Sequence, residues 1–151
     1  MVRMTGEQTI RRPAEEVFDF LADVRNEPRY NPIMRRADKV TDGPIGVGTR
    51  FTETMRSLGR DVQAQLEVTA YDRPRLLGWS IQMPATAITG TIEFTGVPDG
   101  ARVRWTWDVT PHGVLRPFTP LIARIGQPRE ERIWARLKAY LEAPRGHASS
   151  R

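Results

Sequence analysis

The sequence predicts an α+β domain in which a curved antiparallel sheet of about seven strands wraps over a long C-terminal helix, with two short helices near the N-terminus. Three observations carry this. From Thr49 onward apolar residues recur at every second position through successive short runs. The runs are separated by a few turn-forming residues, which joins neighbours as antiparallel hairpins with one wet and one dry face. Past Val109 the apolar spacing lengthens to that of a helix.

In chain order, Thr9 and Ile10 close a short strand-like segment, and Pro13-Ala14-Glu15-Glu16 reads as a helix start. Proline is tolerated in a first turn, and the two acids favour the positive end of the helix dipole. Val17, Phe18, Leu21 and Val24 form one apolar face, and Pro28 and Pro32 reduce Asn26–Asn31 to a short helical turn. In 50–56, Phe51, Glu53 and Met55 share a face. In 61–70, Val62, Ala64, Leu66, Val68 and Ala70 alternate with polar residues as a half-buried strand. Leu77, Trp79, Ile81 and Met83 follow, then Ile88, Ile92 and Phe94 around Gly90, then Val103, Trp105, Trp107 and Val109. Leu58-Gly59, Asp72-Arg73-Pro74, Pro84 and Pro98-Asp99-Gly100 mark the turns. Phe118, Ile122, Ile125, Ile133, Leu137 and Leu141 define the helical stripe, and Pro128 predicts a kink or break near 126–128. Residues 1–143 read as a single domain and 144–151 as a polar tail.

Composition narrows the function. At 39% hydrophobic and 27% charged, the chain has the make-up of a soluble globular protein. No stretch approaches a membrane span, and residues 1–7 contain no apolar segment of a secretory signal. Without cysteine there is no disulfide framework and no thiolate chemistry, and a cytoplasmic location is expected. The net charge of +5 raises nucleic acid as a partner. The arginines, however, are spread along the chain among Asp and Glu, and the aromatics lie in apolar alternation, not between basic residues. No transmembrane segment, no cofactor motif and no metal site is expected, since His112 and His147 are isolated. Gly43-Pro44-Ile45-Gly46-Val47-Gly48 lacks the Gly-Lys-Ser/Thr ending of a phosphate loop and leads into a strand, so it is expected as a turn at the mouth of a pocket. No Gly-x-Ser-x-Gly is present. A monomer or a homodimer would fit equally.

Four stretches carry a family likeness: Pro13-Ala14-Glu15-Glu16-Val17-Phe18 through Tyr30-Asn31-Pro32; Gly46-Val47-Gly48-Thr49-Arg50-Phe51; Glu67-Val68-Thr69-Ala70-Tyr71-Asp72-Arg73-Pro74; and Arg136-Leu137-Lys138 with Leu141-Glu142. Over roughly residues 6–143 the chain resembles the START/polyketide-cyclase/birch-pollen-allergen (SRPBCC) superfamily. The resemblance implies the helix-grip fold and an apolar cavity between sheet and C-terminal helix. Members include lipid carriers, aromatic polyketide cyclases, hormone receptors and ubiquinone-binding proteins, so fold does not fix activity. The chain departs from the family at Tyr30, where Trp is frequent, and at Pro128.

Within that fold the residues expected to line a ligand pocket are Phe51, Met55, Leu66, Trp79, Ile81, Ile92, Trp105, Trp107, Ile122 and Ile125. The competing reading is that the tryptophans are plain core. Glu53 shares a face with Phe51 and Met55 and is expected to point inward, where a desolvated carboxyl could move protons or bind a hydroxyl; otherwise it reaches water at a strand end. Arg129 fills the gap between Ile125 and Ile133 and could pair with Glu53 or a ligand carboxylate, or else its head reaches solvent. The expected function is carriage or sensing of a hydrophobic lipid, isoprenoid, polyketide or aromatic. The alternatives are a polyketide cyclase/dehydratase using Glu53 with Arg129 or Tyr71, and a module for a macromolecular partner such as the ribosome.

Overall fold

A computed structural model describes residues 1–144. Seven strands form one antiparallel sheet: β1 (Val2–Ile10), β2 (Met34–Lys39), β3 (Arg50–Ser57), β4 (Arg60–Asp72), β5 (Leu76–Gln82), β6 (Thr86–Val97) and β7 (Gly100–Pro111). Their spatial order is β1-β7-β6-β5-β4-β3-β2, so the first strand closes against the last. Helix α1 (Ala14–Ala22) and a 3-10 turn (Val24–Arg29) follow β1; a second 3-10 turn (Gly113–Phe118) leads into α2 (Thr119–Glu142). This is the expected helix-grip architecture. Of the expected polar tail, 145–151 lie outside the described residues.

Strands β3 to β7 follow the alternation of the sequence. Phe51, Glu53, Ala64, Leu66, Val68, Trp79, Ile92, Phe94, Val103 and Trp105 are buried on one face, while Arg50, Gln65, Glu67, Arg102 and Arg104 are exposed on the other. The β3–β4 turn places Leu58 and Gly59 at φ 51° and 74°, the left-handed pair that a tight hairpin turn requires. Strand β2 had no signature in the alternation, because Met34-Arg35-Arg36-Ala37-Asp38-Lys39 is largely charged. Those charges suit an edge strand, where they discourage pairing with another chain.

Helix α2 runs unbroken over 24 residues through Pro128, correcting the expected break. Proline removes one backbone bond, to the carbonyl four residues earlier. Here that carbonyl belongs to Arg124, and both Arg124 and Pro128 lie on the exposed side, where water meets the loss. Polar clamps hold α2 along β1. Gln127 Nε2 donates to the Thr5 carbonyl (2.7 Å), Lys138 Nζ to the Thr9 carbonyl (2.5 Å), and the Arg11 N–H to Glu142 Oε2 (2.8 Å). The most extensive backbone approach of α2 to the sheet is therefore along β1.

Two glycines make room for tryptophans on β7. Gly6 faces Trp105 across β1, and Gly90 faces Trp107 across β6. A methyl group on Gly6 would lie 1.9 Å from Trp105 Cζ2, and one on Gly90 2.0 Å from the Thr106 carbonyl oxygen. Because that oxygen is backbone and cannot swing aside, Gly90→Ala is expected to cost ~3 kcal/mol, at the upper end for overpacking, read as a lowered midpoint in urea unfolding.

Candidate functional site

Between the dry face of the sheet and α2 lies a cavity of about 410 Å³. Its walls are Met55, Ala64, Leu66, Trp79, Ile81, Ile88, Ile92, Trp107 and Val109 from the sheet and Ile122, Ile133, Trp134 and Leu137 from α2. Phe20, Leu21 and Val24 from the N-terminal helical segments and Met34 from β2 complete the lining. The space exists because α2 is tied to β1 while the sheet curves on beyond it.

Of the expected lining residues, Met55, Leu66, Trp79, Ile81, Ile92, Trp107 and Ile122 border this cavity. Three do not. Phe51 is fully buried beside Trp79 in the packed core, with ring centroids 6.1 Å apart. Trp105 is buried behind Trp134, stacked on it at 4.3 Å and 5°. Ile125 is 56% exposed, since the helix turns that position away from the sheet. Trp134 and Gly126 occupy the faces of α2 that a stripe through Ile125 misses. Tyr71 packs edge-on against Phe18 (5.1 Å) and is not a lining residue. The 43–48 loop, expected at a pocket mouth, also stays out of the lining: Gly48 N–H donates to the Val68 carbonyl (2.8 Å), pinning the loop to β4.

Four carboxyls of the described residues reach this largely apolar space: Asp23, which is held by Arg25, then Glu27 from the 3-10 turn, Glu53 from β3 and Glu130 from α2. Glu53 points inward as its register requires and is 2% exposed. Its Oε2 is buried and receives no hydrogen bond from an N–H or O–H among the described residues. Its pKa is pushed up to about 10, first by burial, then by the neighbouring charge of Glu27 and a side-chain hydrogen bond between the two carboxyls. At neutral pH Glu53 is therefore the protonated partner, donating to Glu27. Glu27 is itself raised, chiefly by burial, and is oriented by Asn31, whose Nδ2 donates to Glu27 Oε1 at 3.1 Å.

Glu130 is held differently. Its Oε1 accepts from both Trp107 Nε1 (2.8 Å) and Trp134 Nε1 (3.1 Å). Burial raises its pKa, and the two indole N–H groups oppose that rise. The Tyr30 hydroxyl, buried and surrounded by Glu27, Glu53 and Glu130, is raised well above its ordinary value and stays protonated. Arg129 stands at the rim and is exposed; the expected pair with Glu53 does not form, and its charge acts on Glu130 instead. The carboxyls do not form a group able to hold a metal ion among the described residues. Chemically, the cavity offers apolar and aromatic walls, one carboxyl pair sharing a proton, and one carboxyl cradled by indoles.

Glu27, Glu130 and Trp134 were not anticipated. Glu130 carried a signal: it precedes Trp134 by four positions and Leu137 by seven, so it lies on the buried stripe once that stripe is drawn through Trp134. Glu27 sits in a short 3-10 turn immediately before Pro28, where no period exists to read.

A family model described as "Polyketide cyclase / dehydrase and lipid transport" matches residues 1–142. No curated protein matches the sequence. Among solved structures, a START superfamily protein from Mycobacterium smegmatis shares 13% identity, with a TM-score of 0.77 over 93% of this chain and 97% of that one. Ara h 8.0201 shares 15%, with a TM-score of 0.75 over 94% and 98%. The di-domain ARO/CYC protein StfQ from the steffimycin biosynthetic pathway shares 14%, with a TM-score of 0.75 over 93% of this chain and 50% of that one. At these identities the likeness is one of fold. No helix among the described residues is long and apolar enough to cross a membrane.

Proposed function

Because the chain belongs to the polyketide cyclase / dehydrase and lipid transport family, we propose that residues 1–143 act as a single domain that carries or senses a hydrophobic small molecule in the cavity beneath α2. The observation that carries this reading is the volume itself. Apolar space left empty costs ~24 cal/mol per Å³. For about 410 Å³ that is ~10 kcal/mol, within the ~5–15 kcal/mol net stability of a whole domain. The cavity is open to solvent on one side, so water lowers that figure, least along the apolar wall of Leu66, Ile81, Ile92 and Ile133. A guest whose apolar surface replaces that void recovers the contacts. Met55, Leu66, Trp79, Ile81, Ile92, Trp107 and Ile122 are the proposed binding residues.

Native mass spectrometry of the protein after incubation with a lipid and aromatic-metabolite extract tests this. A retained small molecule of apolar character is expected, and Ile92→Trp, which fills part of the space, is expected to reduce retention at least ~10-fold. A protein that retains nothing under gentle conditions contradicts the reading.

The state of Glu53 favours a second reading, cyclase or dehydratase chemistry in the same cavity. A carboxyl still protonated at neutral pH can give its proton to a substrate carbonyl oxygen as a carbon–carbon bond forms at that carbonyl carbon, while Glu27 takes the proton from the attacking carbon. Glu53→Gln removes the acid and is expected to lower such turnover ~10²–10⁴-fold; turnover of an aromatic polyketide precursor unaffected by the change would exclude this role.

A further inference from the structure

Within the hydrophobic-ligand reading on which this rests, we propose that the guest carries a basic nitrogen: an alkyl or aryl ammonium ion seated against Glu27 and Glu53. The polar lining is unbalanced. Its titratable groups are Asp23, Glu27, Tyr30, Glu53, Arg129 and Glu130, four carboxyls against one cation that stands exposed at the rim. Two of the carboxyls have charged or dipolar partners of their own. Asp23 is bound by the Arg25 guanidinium at 2.8 Å, and Glu130 Oε1 is held by two indole N–H groups. Among the described residues the Glu27–Glu53 pair receives a hydrogen bond only from Asn31.

What the pair lacks is a donor. A protonated carboxyl owns one O–H, and in this pair it is committed to the bond between the two carboxyls. Everything else the pair presents is acceptor lone pairs, among them the buried Glu53 Oε2, which receives no hydrogen bond among the described residues. At the carboxyl pair itself a carbonyl or ether oxygen would meet only acceptors, and the nearby Tyr30 hydroxyl is the donor left for it. A carboxylate would add like charge. An alcohol supplies one donor and no charge, whereas an ammonium supplies three donors and the missing positive charge. The rings of Tyr30, Trp79 and Trp107 border the same space and tolerate a cation at their faces.

Three probes with one tail separate the possibilities: decylamine, 1-decanol and decanoate, titrated into the protein at pH 7 below their micelle concentrations by calorimetry. Decylamine is expected to bind at least ~10-fold more tightly than decanol, with decanoate weakest. Glu27→Gln, which removes the carboxyl that accepts from Glu53 and with it the pair's negative charge, is expected to narrow the amine-over-alcohol ratio to near one. Decanol or decanoate binding as tightly as decylamine overturns the ammonium proposal and leaves hydrophobic binding standing; failure of all three to bind overturns both. If the variant does not fold, the order of the three probes on the wild-type protein still decides.

Discussion

Replacing Glu53 by Gln is expected to stabilise the protein by about 3 kcal/mol at pH 7, with little effect at pH 4. The sign follows from linkage. The folded-state pKa is pushed up to about 10 from an ordinary 4.5, so above pH 4.5 the unfolded chain releases a proton that the folded chain keeps. The unfolded state then binds fewer protons, and unfolding free energy falls as pH rises until the folded-state pKa is reached. At ~1.36 kcal/mol per pH unit, the about 2.5 units up to pH 7 amount to about 3 kcal/mol. Glutamine has similar volume, carries no titrating proton and can donate an amide N–H to Glu27 as the protonated carboxyl does. Urea unfolding of both proteins from pH 4 to pH 9 checks this. The wild-type stability should fall with pH while the variant stays flatter, keeping only the weaker slope that the raised Glu27 and Glu130 impose. A variant less stable than wild type at pH 7 would mean that Glu53 is ionised and usefully paired.

The second large effect is expected at Trp134. Its ring is buried, stacks on Trp105 at 4.3 Å, and its Nε1 donates to Glu130 at 3.1 Å. Trp134→Ala removes stacking area, opens a hole next to the cavity and strips Glu130 of one of two donors. Large-to-small changes of this kind cost ~3–5 kcal/mol, a fall of at least ~10 °C in the melting temperature of a chain this size. Trp134→Phe keeps a ring over Trp105 and leaves Trp107 on Glu130, so ~1–2 kcal/mol is expected. The Glu130 pKa should rise further in both variants, visible by NMR titration, because the opposing hydrogen bond is gone. Equal stability of the two variants would show that the indole N–H, not the ring packing, carries the effect.

How much of this was legible in the sequence depends on whether a residue sits in a regular element. The alternation over β3 to β7 fixes the inward set from Phe51 to Trp107, because in a strand one register decides every side chain. That is why Glu53 could be placed inside from its position between Phe51 and Met55 alone. Strand β2 was invisible: an edge strand needs charge more than burial, so its pattern carries no period. On α2 the apolar spacing points to Ile125, yet the buried row passes through Gly126, Glu130 and Trp134. A glycine there accommodates Met4, whose Cε would lie 2.2 Å from an added methyl, and a glutamate there looks like solvent-facing charge until its two indole donors are seen. The Glu27–Glu53 pair joins residues 26 positions apart, one in a strand and one in an irregular turn, and only the folded chain brings them together.

The most direct test of the whole account is a crystal structure of the protein grown with decylamine or 1-decanol. Continuous density for the ten-carbon tail between Trp79 and Ile133, with its head beside Glu53, is the predicted result. Indoles of Trp79 and Trp107 closed across that space, with no density between sheet and helix, would contradict it.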